Sequence, residues 1–184
     1  MYSRSTELLT TQDSLLLVVD VQQKLMPHIA NQDRVVAMIL RLVKAAKLAS
    51  VPTVCSEQYP SGLGSTVEPL VEELDCERHE KLTFSCLGND TLRSKVAEFS
   101  RPKVVLCGVE THICILQTAL DLLAEGYRVY LPTDAVSSRS EADHDVGVRR
   151  LEAQGVIPMT SEACLFEWCE RAGTELFGEV RKLV

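Results

Sequence analysis

Short apolar runs alternate with longer amphipathic ones along this chain. "SLLLVVD" (14–20) is a continuous branched run, the pattern of a strand covered on both faces. "QDRVVAMILRLVKAAKLAS" (32–50) predicts a helix, with Arg34, Arg41, Lys44 and Lys47 forming its solvated stripe. Further strands are predicted at 51–57, 102–108, 127–132 and 156–161, with a weaker one at 79–85. Helices are predicted at 65–74, at 88–99 with Asn89 or Asp90 as cap, from the "GVETHIC" stretch to Gly126, and at 141–155. Two helical pieces close the chain. This alternation implies βαβ units with right-handed crossovers. The expected fold is a three-layer α/β/α, doubly wound (Rossmann-like) sheet of about six mostly parallel strands. No linker, repeat or charge block divides the sequence, so residues 1–184 are expected to form a single domain.

Composition narrows the function classes. Of 184 residues, 46% are hydrophobic, enough for a sizeable core. The net charge of −7 disfavours a nucleic-acid binder, which would usually carry a basic face. No apolar run approaches the ~18–20 residues needed to span a bilayer. The polar start "MYSRSTELLTTQDS" lacks the apolar segment of a signal peptide. Seven cysteines, an odd number with no C-x-x-C pair, argue against a disulfide framework or a zinc site. A cytoplasmic protein with mostly buried thiols is expected, and Cys107 inside "VVLC" is the plainest case.

Ligands of an open parallel sheet bind beyond the carboxyl ends of its strands. The residues predicted there are Asp20, Glu57, Lys81, the "GVETHIC" stretch with Cys114, and Asp134 in "TDAVSS". Each has a plain structural reading: Asp20 as a turn former, Lys81 as a surface cation, Cys114 as a core thiol between Ile113 and Ile115. Together they suit one chemistry. With Thr111 as N-cap, Cys114 would sit in a first helical turn, where the dipole favours a thiolate. A carboxylate can take the thiol proton and an ammonium can offset the charge. Backbone N–H groups around Glu110–Cys114 could hold an oxyanion.

The ordered set "DVQ" with Asp20 and Gln22, Lys81 before "TFS", "GVETHIC" ending in Cys114, and "TDAVSSRS" resembles the isochorismatase-like cysteine hydrolases from about Ser14 to about Ser161. "SEQYPSGLGSTVEPL" and "GVETHICILQTALDLL" are most similar to the isochorismatase domain-containing proteins within that superfamily. The resemblance implies a catalytic triad of Asp20, Lys81 and Cys114. It also implies a cis peptide at Val109–Glu110, and an oxyanion hole from the N–H groups of Glu110 and Cys114. The implied reaction is hydrolysis of a small-molecule amide or related C–N bond through a covalent thioester. Gln22, Glu57, Tyr59 and Leu63 are the candidate substrate contacts.

One departure bears on metals. Nicotinamidases of the superfamily carry metal-binding Asp and His residues after the second strand, whereas "SEQYPSGLGSTVEP" has no histidine. His28, His79, His112 and His144 lack ligand spacing, so neither a metal nor a cofactor is expected. The expected partners are a small-molecule substrate and further copies of this chain, the latter because the superfamily is commonly oligomeric; nucleic acid and membrane are not expected. The apolar "EACLFEWCERAGTELF" could pack on a neighbouring copy, or Phe166 and Trp168 could close the chain's own core. A non-catalytic binding or scaffold protein keeping the same fold is the alternative. A nucleotide-binding oxidoreductase is disfavoured: "GLGSTV" lacks the third glycine and follows the second strand rather than the first.

Overall fold

The computed structural model describes residues 3–184. Seven strands form one sheet: β1 (Ser14–Val19), β2 (Thr53–Gln58), β3 (Arg78–Lys81), β4 (Lys103–Val109), β5 (Arg128–Pro132), β6 (Val136–Ser137) and β7 (Ile157–Met159). The order is β3-β2-β1-β4-β5-β7, with β6 beside β4, and every strand pair is parallel. The longer helices are α1 (Gln32–Leu48), α4 (Asp90–Glu98), α5 (Leu116–Ala124), α6 (Glu141–Ala153), α7 (Ser161–Cys169) and α8 (Glu175–Val180). Two single-turn helices, α2 (Pro60–Leu63) and α3 (Glu68–Val71), lie between β2 and β3.

β1 and β4 are buried at every position because helices cover both faces. Their residues alternate between two cores. Leu16, Val18, Val105 and Cys107 pack with Ile39 and Leu42 of α1 and Leu165 and Trp168 of α7. Leu15, Leu17, Val104 and Leu106 pack with Leu92 and Val96 of α4 and Ala119 and Leu122 of α5. Trp168 therefore closes the chain's own core, while Phe166 stays partly exposed. The basic stripe of α1 is solvated as expected, and Lys44 and Lys47 pair with Glu73 and Asp75.

Four local expectations change. The helix predicted at 65–74 shrinks to Glu68–Val71, because 65–67 pairs with the segment after β1: Gln23 N donates to Ser65 O and Val67 N to Val21 O. The strand predicted at 79–85 ends at Lys81, where the carbonyls of Thr83 and Phe84 turn back onto the lysine's own ammonium. β6 and α2 lie where loops were predicted; β6 is two residues long and too short for a periodic signal. Asn89, as expected, caps α4 by accepting from Leu92 N at 3.0 Å.

The chain reverses its winding between β1 and β4, so a crevice opens at their carboxyl ends. The two strands approach closely there. Gly108 has φ +117°, and a Cβ on it would lie 2.1 Å from the Val19 carbonyl oxygen. Backbone cannot yield as a flexible side chain can. Gly108→Ala is therefore expected to lose about 4 kcal/mol or more, read as a lowered urea midpoint.

Candidate active site

β1 ends by turning at Asp20, whose φ of +55° is left-handed and uncommon outside glycine. Its N–H donates to Ser56 O at 3.1 Å, which holds the turn against β2. The side chain is fully buried and both carboxylate oxygens are engaged: Ser56 Oγ donates to Oδ1 at 2.7 Å, and Lys81 Nζ to Oδ2 at 2.7 Å. The register β2–β3 sets Gln58 beside Lys81. Lys81 Nζ accordingly donates to Gln58 Oε1 at 2.7 Å as well, and to the carbonyls of Phe84 at 3.0 Å and Thr83 at 3.3 Å. A fully buried ammonium is thus neutralised by one carboxylate and surrounded by acceptors, which offsets its desolvation. Burial alone would lower the Lys81 pKa; the Asp20 charge reverses that and holds it above the ordinary value.

Cys114 comes from the other side of the crevice. β4 runs through the cis Val109–Glu110 bond into a five-residue π-turn, Thr111–Ile115, that leads into α5. Glu110 O accepts from Ile113 N at 3.1 Å and Ile115 N at 3.2 Å. The Glu110 carboxylate is fixed by the N–H of Arg139 at 2.9 Å and by its guanidinium Nε at 3.1 Å. Thr111 does not cap this turn; its hydroxyl meets His144 Nδ1 at 2.9 Å. Burial lowers the His144 pKa, so that ring is biased to its neutral form. α6 lies against the turn at Gly147, where a Cβ would come 3.2 Å from His112 Cα.

The thiol itself departs from the sequence expectation. A helix start was expected to favour thiolate, but burial pushes the Cys114 pKa well above its ordinary value. The neighbouring Asp20 charge acts in the same direction, and the Lys81 charge opposes it. The resting residue is a protonated thiol beside a carboxylate. Only 7% of its surface is exposed.

The other predicted residues have varied placements. Gln22 is fully buried and engaged at both ends of its amide: Nε2 donates to Gln58 O and Gly64 O, and Oε1 accepts from Gln58 N. It clips the 59–66 segment to β1. Glu57 Oε1 accepts from both the N–H and the hydroxyl of Thr66 at 2.7 Å. Asp134 accepts from Ser161 N and Oγ at the start of α7. Tyr59 is half exposed and lines a cavity of about 460 Å³ with Pro60, Leu82 and Thr83. Leu63 is half-buried and off that wall. A second cavity, about 430 Å³, is lined by Asn31, Arg34, Ser137 and His144. Neither wall includes Cys114.

Sequence reading missed Ser56 and Gln58. Side chains alternate along a strand, so the pair that faces Asp20 and Lys81 flanks Glu57 rather than including it. The same "SEQ" stretch carried the signal, one residue to either side. Among the described residues, no cluster of three or more His, Cys, Asp or Glu is placed to hold a metal ion, and no helix is long and apolar enough to cross a membrane.

Comparison with known proteins shows the family and the fold. The isochorismatase domain matches residues 14–163. Isochorismatase domain-containing protein 2 of Danio rerio is 38% identical over 177 residues, covering 96% of this chain and 89% of its own. Among solved structures, the MAR1 ribonuclease from Caenorhabditis elegans superposes with a TM-score of 0.90 at 35% identity, covering 96% of this chain and 91% of that one. YcaC of Escherichia coli, an octameric hydrolase of unknown specificity, superposes at 0.89 with 22% identity, covering 98% and 96%, and so shows a shared fold.

Proposed function

This chain belongs to the isochorismatase family of hydrolases, and from that premise we propose that it is a cysteine hydrolase of small-molecule amides or related C–N bonds. The reading is carried by one observation: a fully buried carboxylate–ammonium pair joined at 2.7 Å, whose two charges both act on the nearly buried Cys114 thiol. As Cys114 Sγ bonds to the substrate carbonyl carbon, its proton passes to Asp20 and the carbonyl electrons move to oxygen. Lys81 keeps the pair near neutral while charge moves. The oxyanion is held by the N–H groups of Glu110 and Cys114. Collapse expels the amine, which takes the proton from Asp20, and leaves a thioester. Water, deprotonated by Asp20, then releases the acid and restores the thiol. Because the resting thiol is neutral, the carboxylate base is needed for the first step rather than optional.

A panel of small amides, followed by intact mass, tests this. The expected result is turnover of at least one amide, with an acyl adduct on the Cys114 peptide after acid quench. Turnover without any adduct, and undiminished in Cys114→Ala, would overturn it. The neighbour described as a ribonuclease motivates a second arm with single-stranded RNA. Little cleavage is expected from a chain of net charge −7; Cys114-dependent cleavage would replace the amide reading. Homo-oligomerisation and cytoplasmic residence belong to the same proposal, the latter resting on seven unpaired thiols. Light scattering at a mass near one chain would remove the oligomer.

A further inference from the structure

We propose that Ser56, oriented by Cys86, is a positioning residue that holds the Asp20 carboxylate aimed for its role as base. This rests on the triad reading above. Ser56 is fully buried within β2 and its hydroxyl has a single proton. That proton is committed to Asp20 Oδ1 at 2.7 Å. The commitment follows from the other side of the same oxygen, where Cys86 Sγ lies 3.6 Å away as donor. Cys86 is itself locked in place, since its N–H donates to Thr118 Oγ1 on α5 at 3.0 Å. Burial pushes the Cys86 pKa up to about 11, so it remains a donor across the neutral range.

The consequence is directional. Lys81 holds Oδ2 and Ser56 holds Oδ1, so the carboxylate plane is pinned at both corners. A donor on a carboxylate favours its charged form. The groups facing Asp20 come from four elements: Ser56 from β2, Lys81 from β3, Cys86 from the turn after β3, and Cys114 from the turn after β4. Glu57, one residue from Ser56, faces Thr66 instead. The charges of Lys81, Cys86 and Cys114 act on one another, so the observable is the pH profile of the whole site.

The test is alkylation of Cys114 by iodoacetamide, followed at its peptide from pH 4 to 9, which needs no substrate. In Ser56→Ala the acid limb should move up by about one pH unit, because the carboxylate loses a donor that favours its charge. Ser56→Thr keeps the hydroxyl and should restore the parent profile. Cys86→Ala should move the limb in the same direction by less, and it leaves Ser56 intact if the alanine variant at 56 folds poorly. An acid limb unchanged in both Ser56→Ala and Cys86→Ala would overturn the inference and leave the triad reading standing. Asp20→Asn labelled at the parent rate over the whole range would instead sink the triad reading.

Discussion

Cys114→Ala is expected to lower amide turnover by at least about 10⁴-fold while leaving the fold intact. Removing a nucleophile from a site whose members act together typically costs most of the catalysis, because carboxylate and ammonium then have nothing to activate. The structural effect should be small by comparison. The thiol is a small group, buried in the same apolar cluster as Ile115 and Leu116 at the head of α5. Its loss is expected to cost about 1 kcal/mol, with no change in cooperativity on thermal unfolding. Separating the two readouts is what gives the variant its value. A large fall in melting temperature together with lost turnover would mean a structural thiol. Lost turnover at near-parent stability supports the nucleophile. Cys107→Ala provides the contrast: its thiol is fully buried in β4, remote from any acid–base partner, and its pKa lies far above the ordinary range through burial alone. That variant should keep turnover.

Lys81→Met is expected to be the most destabilising of the charge variants, by about 3–5 kcal/mol, read by urea unfolding at pH 7. It leaves Asp20 as an unpaired charge in a site with no exposed surface. It also removes the strap that ties the carbonyls of Thr83 and Phe84 back to β3. Asp20→Asn should cost less. The ammonium retains Gln58 Oε1 and both carbonyls, and the asparagine oxygen can still accept. The double variant should therefore recover part of the loss caused by Lys81→Met, since neutralising both partners removes the stranded charge. Strict additivity of the two single effects would contradict direct pairing. All three variants should be inactive towards amides, for different reasons: no base, no counter-charge, or neither.

The sequence by itself determined much of the frame. Branched runs such as Ser14–Val19 and Lys103–Val109 are strands because continuous apolar sequence of that length can only be covered from both sides, and both are buried throughout. The rule that ligands gather at carboxyl strand ends then drew Asp20, Lys81 and Cys114 together from positions 20, 81 and 114. It did so because a parallel sheet puts all those ends on one rim. The order of strands and the reversal between β1 and β4 are consistent with the same pattern.

Tertiary structure decided the rest, and the reason is register and burial. A strand's period of two makes a one-residue difference a change of face, so Glu57 turns to Thr66 while Ser56 and Gln58 meet the ion pair. Gln22 and Asp134 read as polar rim residues, yet their partners are backbone groups and a hydroxyl distant in sequence, which no local pattern could supply. The protonation of Cys114 is the sharpest example. Helix position argued for a thiolate, but the loss of water around the sulfur and the charge of Asp20 outweigh the help from Lys81. Desolvation depends on every atom packed around a group, and so it belongs to the folded molecule and not to the order of its residues.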